Sequence, residues 1–436
     1  MRWVFLLCGG LAFAQDTLPL SLKRAVEIAL APEGSPRVAL AEESIRQSQT
    51  GIAQARAAFL PDIEASVTDQ SETVNLRSFG LNFPLPAGVS FPSLVGPFSV
   101  FDARATANQS VFDFSSIRKY QSSKVTVEAS KADAETTKNQ VSDAVARAYL
   151  ACLRADAKVE TEQANVDLSD ALLKLSNRQK TAGTGLAIEV TRAQVQLAND
   201  RQNLIVAQND RRKAVLQLLR AVGLNLDAHI EFTDKLAYKP VDVGPMEAAL
   251  DKARKERAEL KAQAKREEIA KLNYGSVKAE RLPSISAFGN YGSIGPEIIG
   301  ALPTHSVGIT LKVPVFDGGR RDARRAESLS QLRQEEIRSR DVKQQVDLDV
   351  RLALDSIKSA ASQVDTAREG LTLAENELAQ ARRRYEGGVA NSIEVTDAQT
   401  RLDRARDNQI AALYNYNLAR LDLATATGSI AEYLNQ

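Results

Sequence analysis

The chain has 436 residues, 25% of them charged and only 5% aromatic, with a formal net charge of +1. That balance supplies no pull toward nucleic acid, and the long stretches of Ala, Gln, Arg, Leu, Glu and Asp are helical-bundle composition. The length suits two or three ordinary domains or one elongated body.

Residues 1–14 have the layout of a secretory signal. Arg2 gives the charge, Val4 to Leu11 the apolar core, and Ala12-Phe-Ala14 the cleavage site. Cys8 falls inside it, after Leu6-Leu7, where a lipoprotein site would carry a small residue. Removal of the signal leaves Cys152 alone, so no intrachain disulfide forms. No later stretch approaches the roughly 18–20 apolar residues of a spanning helix. The mature chain is therefore exported, and it either stays soluble or enters a membrane as strands.

Ser21 is a fitting N-cap for a short helix through Ala31, broken by Pro32 and Gly34-Ser35-Pro36. A second helix runs to about Phe59 and stops at Leu60-Pro61. The same plan recurs later, with a helix from Met246 to about Arg254, another from Arg257 to Arg281, and a stop at Leu282-Pro283. Strand character follows each Leu-Pro. Phe101, Ala103, Ala105 and Ala107 alternate with Asp102, Arg104, Thr106 and Asn108, and Val307, Ile309 and Leu311 alternate with Gly308, Thr310 and Lys312. Alternation of this kind suits a membrane strand with one lipid face and one wet face. A half-buried strand of a soluble sandwich would carry the same pattern. Two strands are expected per copy, at about 62–80 and 101–112, then 284–294 and 305–316. The Pro- and Gly-rich stretch around Phe83–Gly88 and Phe91–Pro97 is expected to be an exposed loop.

Val111-Phe-Asp113 and Val315-Phe-Asp317 close the strand regions, and long helices follow. Ser115 to Ala182 contains no Gly or Pro, enough for about 100 Å of helix at ~1.5 Å per residue. Heptad seams run through Val141, Val145, Ala148, Cys152, Ala155 and Val159, through Ala193, Leu197, Asp200, Leu204 and Ala207, and through Ala398, Leu402, Ala405, Gln409 and Ala412. Their small residues suit a wall of closely spaced helices. Between the long helices lie two hairpin tips, at about 182–188 and 387–393, each followed by Ile-Glu-Val-Thr: Ile188–Thr191 and Ile393–Thr396. Gly223 and Gly428 end the two returning helices at the same spacing as the two tips. The chain therefore reads as two internal repeats, 15–223 and 224–436. Four strands leave two open edges, which lipid does not tolerate, so closure demands partner chains.

With its two Leu-Pro and Val-Phe-Asp blocks and its two tips, Arg384-Tyr-Glu-Gly-Gly388 with Ile393–Ala398 above all, the chain resembles the TolC-type outer membrane efflux protein family over essentially its whole mature length. The resemblance implies a mainly α protein with membrane β: a homotrimer whose twelve-stranded β-barrel, four strands per chain, continues into a long α-helical barrel through the periplasm. It also implies a passive exit duct in outer membrane lipid that docks on a periplasmic adaptor and an inner-membrane pump. No cofactor is implied.

By position, Glu394 and Asp397 match the acidic residues that ring the family's aperture, and Glu189 and Tyr385 match two members of the link that holds its inner hairpin shut. Ala390 departs from the pattern, standing where that link has an Arg; Arg384 or Arg192 are the nearby substitutes. Gly183, Gly185, Gly387 and Gly388 are expected to turn the chain at positive φ, and the resemblance adds a role as the surface where adaptor hairpins dock. Read from the residues alone, Asn391 and Glu394 form a capping box at the start of a helix. His229 and His305, the two histidines, lie far apart without Cys or acidic neighbours at ligand spacing, so no metal site is expected. No Gly-x-Ser-x-Gly, P-loop or dinucleotide fingerprint is present, and no enzyme is expected. From another class, a secreted coiled-coil scaffold or adhesin with a small β domain accounts for the heptads and the signal, but not for matched tips and strand pairs.

Overall fold

The computed structural model describes residues 18–32, 34–80 and 93–435. The expected signal at 1–14 and the Phe83–Gly88 loop lie outside the described residues. In chain order the elements are β1 (Leu18–Leu20), α1 (Leu22–Leu30), α2 (Pro36–Ala57), β2 (Asp62–Asn75), β3 (Leu94–Phe112), α3 (Phe114–Thr181) and α4 (Ala187–Val222). Then follow β4 (Ile230–Phe232), α5 (Met246–Glu256), α6 (Ala258–Ala279), β5 (Ser284–Gly295), β6 (Leu302–Lys312), α7 (Arg320–Glu386), α8 (Ser392–Thr427) and α9 (Ile430–Tyr433). The succession of two shorter helices, two strands and two long helices thus occurs twice.

The chain divides into two compact units. One gathers residues through Ser44, Lys131–Ala262 and Arg340 onward; the other holds Ile45–Ser130 and Gln263–Ser339.

The first unit is helical around several small cores. Tyr149, fully buried, donates its hydroxyl to the Leu20 carbonyl at 2.9 Å and to Asp234 Oδ2 at 2.7 Å. Around it pack Val26, Val38, Val145, Leu218 and Leu421. Ser21 caps α1 as expected, its side chain accepting from Arg24 N. Val141, Val145, Cys152, Leu197, Asp200, Ala207, Ala398, Leu402 and Ala412 are all buried, as heptad seams require. Burial pushes the Cys152 thiol up to about 12, which keeps it unreactive. One pairing has no counterpart in the sequence reading: β1 runs parallel to β4, three residues each, too short for a periodic signal.

The second unit is built on an antiparallel sheet in the order β2-β3-β5-β6. Several boundaries differ from expectation: β2 ends at Asn75, not 80, and β6 begins at Leu302, not 305. Strand β3 begins at Leu94, not 101, so part of the expected loop is strand. The Gly96-Pro97 pair falls where the β2–β3 register shifts between Glu72 and Val74, and a bulge is where a sheet tolerates a residue that cannot donate. Strand β6 ends at Lys312, not 316, ahead of Pro314 for the same reason.

Register sorts the sheet's side chains. Ile63, Ala65 and Val67 face the same way as Ala103, Ala105, Ala107, Ile285, Ala287, Val307, Ile309 and Leu311. The opposite face carries Glu64, Ser66, Thr68, Asp102, Arg104, Thr106, Asn290, Ser306, Thr310 and Lys312. The apolar face is bare: Val307 is 85% and Ile309 77% exposed.

Candidate functional site: two hairpin tips and a polar sheet face

The second tip is built by backbone closure. Gly388 N donates to the Tyr385 carbonyl and Val389 N to the Arg384 carbonyl, at 3.1 and 3.0 Å, with Gly388 at φ 74°. Asn391 then starts α8, its Oδ1 accepting from Ile393 N at 3.1 Å and Glu394 N at 3.3 Å. Half of the expected capping box is present. The Glu394 carboxylate instead meets Arg384 Nε at 2.9 Å, tying one helix of the hairpin to the other. Asp397 is exposed and forms no ion pair among the described residues. Tyr385 is 5% exposed, packed among Leu172, Leu378 and Val395, with its hydroxyl 3.3 Å from Ser176 Oγ.

The first tip closes with the equivalent backbone bonds, Gly183 N donating to the Lys180 carbonyl at 3.0 Å, and differs in its cap. Gly183 takes φ 76°, and Thr184 N and Gly185 N both donate to the Gln179 carbonyl at 3.0 Å. Leu186 is the N-cap of α4 and offers no side-chain bond; its own N–H donates to Glu189 Oε2 at 3.3 Å. The expectation of four positive-φ glycines needs correction, since only Gly183 and Gly388 take that conformation. At Gly185 the constraint is space, because a Cβ would lie 3.0 Å from Lys180 N. Gly387 lies within the closing turn, its N–H donating to the Arg383 carbonyl at 3.1 Å.

Tyr385 and Glu189 line one small cavity of about 20 Å³, together with Arg192, Gln196, Ser392 and Gln399. The two expected link residues are therefore brought together, while Glu394 and Asp397 lie apart from them. Of the two candidate replacements for the Arg missing at Ala390, Arg192 borders this cavity and Arg384 is held by Glu394. Ser392 Oγ is buried there without a partner among the described residues.

Behind the tips runs a polar ladder, buried at Asp200, Ser169, Glu162 and Gln399 and open at Asp407, that sequence reasoning did not assemble. Asp200, 2% exposed, accepts from Ser169 Oγ and, at 3.0 Å, from Gln196 Nε2; Gln399 Nε2 donates to Ser169 at 3.3 Å. Lys158 pairs with Glu162 at 2.6 Å and also with Asp407, and Arg406 donates to Asn165 at 2.7 Å. Burial, then Asp200 and Glu162, push the Asp403 carboxyl up to about 6, with Arg406 acting against them. The available signal was Asp200, an acid on an apolar seam.

On the sheet, Arg104 pairs with Asp102 at 3.2 Å and donates to Asn290 Oδ1 at 3.0 Å, all on the polar face. A sheet with charged and polar groups on one side and bare aliphatics on the other can separate water from hydrocarbon.

The model of the family described as outer membrane efflux protein matches residues 28–224 and 249–429. The pyoverdine export outer membrane protein OpmQ of Pseudomonas putida is 25% identical over 416 residues, 93% of this chain and 84% of that protein. The alkaline protease secretion protein AprF of Pseudomonas aeruginosa is 23% identical, covering 99% of this chain and 89% of its own length. The crystal structure of the Campylobacter jejuni CmeC outer membrane channel superposes with a TM-score of 0.80 at 15% identity, over 95% of this chain and 88% of that one.

Proposed function

Because the chain belongs to the outer membrane efflux protein family, we propose that it is the passive exit duct of a tripartite efflux or type I secretion system. It is an outer membrane protein. Three copies close a twelve-stranded barrel, each chain supplying its four strands as two from each internal repeat, 15–223 and 224–436. The apolar sheet face meets lipid and the polar face lines the lumen. The observation that carries this is the two-faced sheet whose outer strands, β2 and β6, each pair on one side only among the described residues. Open edges in hydrocarbon leave backbone groups unbonded at several kcal/mol each, so neighbouring chains must cover them. Family membership favours this duct over a secreted scaffold.

The tips are the periplasmic end. Asp397 from three chains gives an acidic ring that favours cations, and Glu394 with Arg384 braces the hairpin carrying it. Loss of cation selectivity in Asp397→Asn channels is the expected check. Glu189, Arg192 and Tyr385 form the link between hairpins, and the glycine turns at Gly183, Gly185, Gly387 and Gly388 offer a surface for an adaptor bound to an inner-membrane pump. The functions of OpmQ and AprF, pyoverdine export and alkaline protease secretion, differ while the frame is shared. Cargo choice in this reading therefore belongs to the pump.

Neighbouring β6 residues test the barrel. Ile309→Arg places a charge on the lipid face, at ~2–4 kcal/mol near the midplane, and is expected to abolish the heat-resistant trimer in outer-membrane fractions. Thr310→Arg, on the lumen face, is expected to leave it. Equal tolerance of both would refute the two-faced barrel.

A further inference from the structure

Where the sheet gives way to helix, in the second unit, lies a cavity of about 210 Å³. Lys312 closes β6 on the polar face, and Arg320, Arg321 and Arg324 come from the first turns of α7. Two acids border the same space, Asp113 and Glu280. Both are engaged. Asp113 caps α3, accepting from Ser115 N at 3.0 Å and Ser116 Oγ at 2.6 Å, and Glu280 pairs with Arg324 at 2.8 Å. Arg321 pairs with Asp317 at 3.2 Å. Lys312 and Arg320 are exposed and form no side-chain ion pair among the described residues.

The placement runs against local preference. Cations in the first turn of a helix oppose the macrodipole, by about 0.3–1 kcal/mol each. The first-turn acid of α7, Asp322, is itself taken by Arg281. The corresponding start of α3 reads Phe114-Ser-Ser-Ile, without a cation in the turn. The macrodipole therefore does not favour Arg320, Lys312 lies outside the helix at the end of β6, and a ligand of opposite charge would satisfy both.

We propose that this cavity binds oxyanions, phosphate or carboxylate groups presented by molecules moving along the polar face. The proposal rests on the reading of that face as the lumen. Arg320 supplies a planar fork for paired oxygens and Lys312 a point charge beside it. In a trimer the three cavities make a cationic collar, opposite in sign to the acidic ring at the tips. A duct with such a collar presents an anionic cargo with a way station.

The test uses pyrophosphate as the probe. Isothermal titration of the detergent-solubilised full chain is expected to show binding that falls at least tenfold in Lys312→Gln/Arg320→Gln, with the trimer intact on a native gel. Pyrophosphate is also expected to reduce the current of the reconstituted protein in neutral phosphatidylcholine bilayers, and not that of the variant. Absent binding, or equal binding by both proteins, overturns the proposal. So does an inert pyrophosphate with loss of copurifying phosphatidylglycerol in the variant, which would make this a lipid headgroup site. Binding without any conductance would sink the duct reading and leave the oxyanion site standing.

Discussion

The two hairpin tips share a frame and differ in how they are held. The second has a buried Tyr385, a side-chain cap from Asn391 and an ion pair between Arg384 and Glu394. At the matching places the first has an exposed Lys180 and an N-cap Leu186 that offers no side-chain bond. Backbone geometry is common to both, since a positive-φ glycine closes each turn. Ile-Glu-Val-Thr follows in both because it starts a helix with its acid in the first turn. A hairpin therefore needs only the glycine and the helix start to turn. The remaining positions are free to make one tip firm and leave the other loose.

The largest break in that contrast is expected from Tyr385→Ala. Removing a buried aromatic ring typically costs about 3–5 kcal/mol, here from the cluster with Leu172, Leu378 and Val395. Hydrogen exchange should show residues 380–400 opening, whereas Lys180→Ala at the matching exposed place should stay within about 0.5 kcal/mol of the parent. If Tyr385→Ala leaves exchange at the second tip unchanged, the ring is not what firms it.

The caps sharpen the comparison in both directions. Asn391→Ala should cost the second hairpin about 1 kcal/mol, and Leu186→Asn should lend the first a cap of similar worth. Amide protection at Glu394 and at Glu189 reads the two effects separately. An unprotected Glu189 amide in Leu186→Asn would show that the first tip is loose for another reason.

Smallest is the dependence on pH. Native Asp403 holds its proton up to about pH 6, against ~3.9 in an unfolded chain. The folded state therefore binds more protons between those values. Stability rises as pH falls from 7 through 6 and levels off below about 4. The charges facing Asp403 are Asp200, Glu162, Asp407 and Arg406, with Lys158 shared between Glu162 and Asp407. Denaturation midpoints at pH 7 and pH 5 should differ in the parent and converge in Asp403→Asn. A slope that survives the substitution would place the proton elsewhere in the ladder.

Much of this molecule was legible in its residues because the signals are local. Gly223 and Gly428 end their helices, and both take positive φ. Pro61 and Pro283 stop others, and period-two alternation marks one face of each strand. The strand limits at Leu94 and Lys312 were misjudged where a proline met a bulge or an edge, a matter of which neighbour strand stands opposite.

The sequence alone determined the order of the longer elements, the two tips and the apolar face of the sheet, since periodicity and turn chemistry depend only on residues close in the chain. Tertiary structure decided which charges meet. Arg384 found Glu394, Arg192 came to border the cavity of Tyr385, Asp200 was sealed among Ser169 and Gln196, and Lys312 came to line one cavity with Arg320, neither in an ion pair among the described residues. Coulomb energies and desolvation depend on distance through space and on exclusion of water, and neither is written along the chain.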